Sequence, residues 1–160
     1  MFLLLISEPD DSGIQLFDAP RQYALGQTHK HLPEIVKVTG LENAPVFCPI
    51  VSDYYSGMVV TVPVFKSQLN DGFTVEDIKN VYKEKYTGEI VKYSESISES
   101  GLISANALSF NDSMQITVEG NEDRILLIAR YDNLGKGASG AALECMNIAM
   151  GASPCEMLDI

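Results

Sequence analysis

Positive charge, histidine and cysteine are all scarce in this 160-residue sequence. Eleven Lys and Arg stand against 22 Asp and Glu, for a net charge of -11 and a pI near 4.4. So acidic a surface repels phosphate backbones and anionic headgroups, which argues against a nucleic-acid or membrane partner. Long apolar runs are also missing. Met1–Ile6 is too short for a spanning helix and lacks the basic flank of a signal peptide. The three cysteines, Cys48, Cys145 and Cys155, form no metal or disulfide spacing. So odd and sparse a set points to a reducing cytoplasm. No Gly-x-x-x-x-Gly-Lys-Ser/Thr phosphate loop is present. What remains is globular, with 46% hydrophobic and 21% charged residues. The length suits one domain, 1–160, with a real core.

Both histidines fall in one stretch, Gln27–Ile35, two residues apart. If that stretch is extended, His29 and His31 point to one side and Lys30 to the other. Pro33 suits the first position of a helix and Glu34 its positive end, so a short helix is expected there, closing at Gly40. Three readings fit this pair. It can be two partly exposed imidazoles at a strand end. It can be a zinc site, which needs further ligands that no nearby Cys or Asp cluster supplies. Or one imidazole can act as an acid/base near neutral pH. Spacing alone does not choose between them.

Along the chain, Phe2–Ile6 reads as a buried strand and Glu8–Gly13 as a loop. Val46–Ile50 reads as a strand cut short by Pro49. Met58–Phe65 is a strong strand, with Met58, Val60, Val62 and Val64 on one face. Its Pro63 cannot donate to a ladder, which puts the strand at an edge or on a bulge. Thr74–Lys85 is the clearest helix. Thr74 can cap it with Asp77, and Val75, Ile78, Val81 and Tyr82 form an apolar stripe that reads as core packing. Ile90–Tyr93 is a short strand, and the Ser- and Glu-rich stretch Ser94–Ser104 is a loop. Met114–Glu119 alternates, Gly120-Asn121 turns, and Arg124–Tyr131 returns as an apolar central strand, giving a hairpin.

The run Asp132-Asn133-Leu134-Gly135-Lys136-Gly137-Ala138-Ser139-Gly140 opens a helix of small residues, expected from about Gly137. Free N–H groups at such an end, with Lys136 beside them, can hold an anion. Close packing against another backbone explains the same glycines equally well. Strands and helices without βαβ alternation make the fold class α+β, a mostly antiparallel sheet with helices on one side.

His29-Lys30-His31-Leu32-Pro33-Glu34, Tyr55-Ser56-Gly57-Met58 and Asp132–Gly140 together resemble N-acetyl-gamma-glutamyl-phosphate reductase, most closely its shorter-chain form. The resemblance runs from about Ala19 to Gly151 in the family's order and spacing. It implies a fold like the C-terminal domain of glyceraldehyde-3-phosphate dehydrogenase, which carries substrate contacts, the catalytic histidine and an oligomer interface. It also implies NADP as cofactor and arginine biosynthesis as the setting. In that chemistry a cysteine thiolate attacks the acyl phosphate, hydride reduces the thioester to the semialdehyde, and a histidine moves protons. Carried over by position, His29 or His31 is that acid/base. Lys30, Tyr55 and Ser56 fall at substrate-contact positions, and Asn133, Gly135, Lys136 and Gly137 at the turn that approaches the cofactor.

This sequence also departs from the family. It has neither the nucleotide-binding domain with its Gly-rich fingerprint nor the Gly-Cys-Tyr-Pro-Thr nucleophile motif. Ser56 stands where the commoner form has arginine. The expectation is therefore a C-terminal substrate-and-oligomerisation part of the reductase, inactive alone, a homo-oligomer whose N-terminal nucleotide-binding partner is missing. The alternative is a stand-alone, non-catalytic dimerisation or regulatory module. The apolar circumference of Lys136–Met150 is expected to pack against its counterpart in a second copy.

Overall fold

In a computed structural model, which describes residues 19–160, nine main elements follow one another. They are β1 (Arg21–Gln22), α1 (His31–Thr39), β2 (Ile50–Val51), β3 (Met58–Phe65), α2 (Val75–Lys85), β4 (Val91–Tyr93), β5 (Met114–Gly120), β6 (Arg124–Tyr131) and α3 (Gly140–Met150). The chain divides into two compact units after Tyr54. The expected features at Phe2–Ile6 and Glu8–Gly13 lie outside the described residues.

The second unit is built on a four-stranded sheet in the order β3-β6-β5-β4, antiparallel except for the parallel β4–β5 pair. This is the α+β arrangement expected. Pro63 sits on β3, an edge strand, where its missing N–H leaves no gap in a central ladder. β5 and β6 form the hairpin. Asn121 Oδ1 accepts from the Asp123 and Arg124 N–H groups, which folds the turn back on itself. Thr74 and Asp77 cap α2 reciprocally, through Thr74 N–H to Asp77 Oδ2 at 2.8 Å and Asp77 N–H to Thr74 Oγ1 at 3.3 Å. Its Val75, Ile78 and Tyr82 pack on Val118, Ile125 and Leu127 of one sheet face, the core contact expected of the stripe, whereas Val81, expected on the same stripe, is exposed. A parallel pair cannot be joined by a tight turn. The connection from β4 to β5 therefore runs long, and it bonds the opposite face, where Arg130 reaches Glu99 and the Ser104 carbonyl.

The first unit is smaller. β1 and β2 pair antiparallel over two residues each, Arg21 opposite Val51 and Gln22 opposite Ile50. The strand expected at Val46–Ile50 is not formed. Strand structure begins only after Pro49, which has no N–H to give. Phe47, fully buried, satisfies its backbone on a side chain instead: Gln27 Nε2 donates to the Phe47 carbonyl at 2.7 Å, and Phe47 N–H donates to Gln27 Oε1 at 2.9 Å. One glutamine thus replaces a neighbouring strand.

The last helix is α-helical from Gly140. Before it, Gly135–Ser139 form a π-helical turn, with Gly137 N–H donating to the Asp132 carbonyl and Ser139 N–H to the Leu134 carbonyl. Gly151 ends α3 in the left-handed conformation. The tail then returns along the helix. The buried Asn147 side chain donates to the carbonyls of Pro154 and Glu156, and the Asp112 N–H donates to the Asp159 carbonyl. The structure thus ties one side of α3 to its own unit, while Met146, Ile148 and Met150 remain exposed.

Candidate functional site

In the first unit the histidine stretch is not extended. Lys30 is in the right-handed helical region, and α1 begins at His31, two residues earlier than Pro33 suggests. Pro33 occupies the third position, still in the first turn, where a missing N–H costs nothing. The two imidazoles do share a side, but through this turn. Their rings meet edge to face with centroids 4.6 Å apart. His29 is wedged between Tyr23 at 5.8 Å and Phe47 at 5.0 Å. The His31 N–H donates to His29 Nδ1 at 3.2 Å, and the Leu32 N–H donates to the His29 carbonyl. His31 lies at one end of a shallow cleft along α1, lined further by Glu34, Ile35, Val38 and Thr39. Burial, with His29 beside it, holds the His31 imidazole below its ordinary value, against an opposing pull from Glu34. Lys30 is exposed at the helix start and its side chain caps nothing. Among the described residues, no group of three or more His, Cys, Asp or Glu side chains could hold a metal ion.

In the second unit the expected residues gather around one carboxylate that sequence reasoning had given no role. Asp132, 1% exposed, accepts from the Ser56 hydroxyl at 2.8 Å and the Phe110 N–H at 2.5 Å on Oδ2, and from the Leu134 N–H at 2.7 Å on Oδ1. Burial pushes this carboxyl up. The donors of Leu134, Phe110, Ser56 and Gly135 outweigh that, and it stays below the usual carboxylate range. Asn133 Oδ1 accepts from the Gly57 N–H at 2.8 Å. Gly57 has φ +124, and a Cβ there would lie 2.3 Å from the Ala105 carbonyl oxygen, so only glycine fits. Ser56 is thus buried and committed to Asp132, and its carbonyl accepts from the Ser109 hydroxyl. Tyr55 is exposed and stacks on Phe110 at 5.5 Å. Phe110 is itself held at φ +65, an uncommon setting for a side chain of its size.

The glycine run shows how its two readings weigh out. A Cβ on Gly135 would lie 2.7 Å from the Asn111 carbonyl oxygen, and one on Gly140 would lie 2.1 Å from Asp112 Oδ1. Gly137 sits against the Tyr131 ring. Lys136 Nζ pairs with Glu144 at 2.6 Å, both side chains largely shielded. Close approach therefore accounts for these glycines, and a carboxylate of the chain itself already lies against the helix opening. Two further residues escaped sequence reasoning. Arg130, buried in β6, grips Gln115, Glu99 and the Ser104 carbonyl; Gln27 supports Phe47. Nothing in composition or period marks either one.

Comparisons with known proteins identify the family and the fold. A family model described as "Semialdehyde dehydrogenase, dimerisation domain" matches residues 8–133. The chain is 37% identical over 134 residues to the N-acetyl-gamma-glutamyl-phosphate reductase of Brucella ovis, covering 81% of this chain and 43% of that protein. It is 40% identical over 135 residues to the protein of the same name from Allorhizobium ampelinum, covering 81% of this chain and 44% of that one. The chain thus spans less than half the length of these curated relatives. Among solved structures, aspartate semialdehyde dehydrogenase II from Vibrio cholerae superposes with a TM-score of 0.55 at 13% identity, covering 76% of this chain and 36% of that one, a likeness of fold.

Proposed function

Because the chain belongs to the semialdehyde dehydrogenase dimerisation-domain family, we propose that it is the substrate-binding and oligomer-forming part of an N-acetyl-gamma-glutamyl-phosphate reductase. The observation that carries this reading is identity of 37% and 40% to two reductases of that name across 81% of the chain. The remainder of such an enzyme would bring the nucleophilic cysteine and the nucleotide-binding domain, and the whole would serve arginine biosynthesis in the cytoplasm. NADP, in its reduced form, would supply a hydride.

This chain's own part is to orient substrate and to move protons. Attack by the cysteine releases phosphate and leaves a thioester; reduction then frees the thiolate and the semialdehyde. An imidazole of the His29–His31 pair takes up and returns the proton these steps exchange. Tyr55 and Lys30, both exposed, are available to a substrate. Ser56 would act through the shape of its turn, since its hydroxyl is spent on Asp132. Asn133, Gly135, Lys136 and Gly137 would border the cofactor as a closely packed turn. They do not form a phosphate cradle, because Lys136 is held by Glu144.

Two measurements test the reading. Homogeneous chain should show no NADPH-dependent reduction of an acyl phosphate, because its 160 residues contain no Gly-Cys-Tyr-Pro-Thr motif and the described residues form no dinucleotide-binding fold. Turnover by the chain alone would overturn that. In sedimentation it should run as a homo-oligomer, most simply a twofold dimer. Only a 17.5 kDa monomer at micromolar concentration would count against the oligomer-forming role.

A further inference from the structure

The residues that follow α3 have no part in the reductase reading, yet their contacts give them a use. We infer that residues 152–159 are a strap that lifts as one piece while the rest of the second unit stays folded, and that it closes a pocket between Tyr55 and the glycine turn. What the open pocket admits rests on the reductase reading; the strap itself does not.

The strap is fastened at few points. Gly151 turns the chain out of α3, and the Ala152 N–H donates to the Asn147 carbonyl at 2.9 Å. Midway, the buried Asn147 side chain donates to the Pro154 carbonyl at 3.3 Å and to the Glu156 carbonyl at 2.8 Å. At the far end Asp159 and Asp112 are linked both ways. The Asp112 N–H donates to the Asp159 carbonyl at 2.6 Å, and the Asp159 N–H donates to Asp112 Oδ2 at 3.2 Å. Within the strap only Cys155 and Leu158 are half-buried. Met157 is 86% exposed and sits at φ +60, a setting that side chains seldom adopt. A segment held by a few hydrogen bonds, with little apolar surface beneath it, opens before the element it lies on. α3 keeps its own stop when the strap lifts, because Gly151 precedes it.

The far end of the strap is also a wall. Asp159 lines a pocket with Tyr55, Phe110, Asp112, Leu134 and Gly135. These include the stacked aromatic pair and the turn that the reductase reading sets beside substrate and cofactor. Asp112, to which the strap is fastened, lies against that turn, since a Cβ on Gly135 would come within 3.0 Å of its Oδ1. The docked strap therefore narrows the pocket and adds a second carboxylate to the one Asp112 brings. An acyl phosphate and NADPH are both anions, so the docked strap opposes them by bulk and by charge. A ligand that enters only the open form binds with its affinity reduced by the open fraction.

Cys155 reports on the strap without any enzymatic assay. Burial and the Glu89 carboxylate beside it hold its thiol above the ordinary value, whereas Cys145 on α3 is exposed. Iodoacetamide, with the modified peptides located by mass spectrometry, should therefore label Cys155 slowly and Cys145 quickly in the 160-residue chain. Deleting residues 158–160 should speed labelling of Cys155 and amide exchange at Asp112 about tenfold, while the amides of α3, β5 and β6 stay protected. Labelling of Cys155 that proceeds only in step with global unfolding, or that the deletion leaves unchanged, would overturn the inference. In an assembled reductase the same deletion should lower KM for the acyl phosphate about threefold and leave kcat unchanged. Asp159→Asn should lower KM by less, and its effect should fade at high salt. An unchanged or raised KM after the deletion would overturn the closing role. If the enzyme assembled with the unaltered chain is inactive, the reductase reading is what fails, and labelling and exchange still decide the strap.

Discussion

The two units use polar groups in opposite ways. Around Asp132 in the second unit, three donors converge on one buried carboxylate, with Ser56 spent on it and Asn133 spent on Gly57. Around His29 in the first unit, only one imidazole is consumed and the other stays open. The difference shows that residues adjacent in family motifs need not share a task. A buried, fully bonded network specifies shape, and an unpaired titratable group beside a cleft is a candidate for chemistry.

The sharpest way to break the comparison is Asp132→Ala. It strands the Phe110 and Leu134 N–H groups and the Ser56 hydroxyl, and should cost about 3–5 kcal/mol in chemical denaturation. The same carboxylate sets an acid limit. Its folded value lies below its unfolded one, so its stabilisation is complete above about pH 4 and is lost as pH falls through the lowered folded value. Asp132→Asn should flatten that acid limb; an unchanged limb would show that other carboxylates govern it. Next in size is Gly140→Ala. Its Cβ would strike Asp112, whose side chain must move away, at a cost of about 1–3 kcal/mol. Ser56→Ala removes only one of Asp132's donors and should cost about 1 kcal/mol by thermal melting. The smallest effect belongs to His31→Gln, within about 0.5 kcal/mol at neutral pH, since no hydrogen bond to its ring is lost. Because the native state disfavours the His31 cation, wild-type stability should decline as pH falls below about 6.5, and this variant should lose that slope. A large loss on His31→Gln at neutral pH would erase the contrast between the two units.

Much of the sheet was legible because its signals are local. Apolar runs gave β3 and β6, alternation gave β5, Pro63 narrowed β3 to an edge or a bulge, Gly120-Asn121 gave the hairpin turn, and Thr74 with Asp77 gave the start of α2. The first unit was less legible. β1 and β2 are two residues each, too short for any period, and Gln27 completes Phe47 from 20 residues away. Pro33 suggested a helix start two residues late, because the cap is a histidine ring, which is not among the usual capping side chains. The candidate site residues were visible as motifs, but their uses were not. That Ser56 is spent on Asp132, and Lys136 on Glu144, follows from distances that sequence spacing does not encode.

The central claim is that this chain supplies one part of a larger reductase. Joining it to the nucleotide-binding, cysteine-bearing portion of the Allorhizobium ampelinum relative tests this most directly. The joined protein should oxidise NADPH in the presence of N-acetyl-glutamyl phosphate, while each portion alone should not. If it stays inactive while the relative's own two portions, joined the same way, are active, the claim is contradicted and a non-catalytic module is the better account.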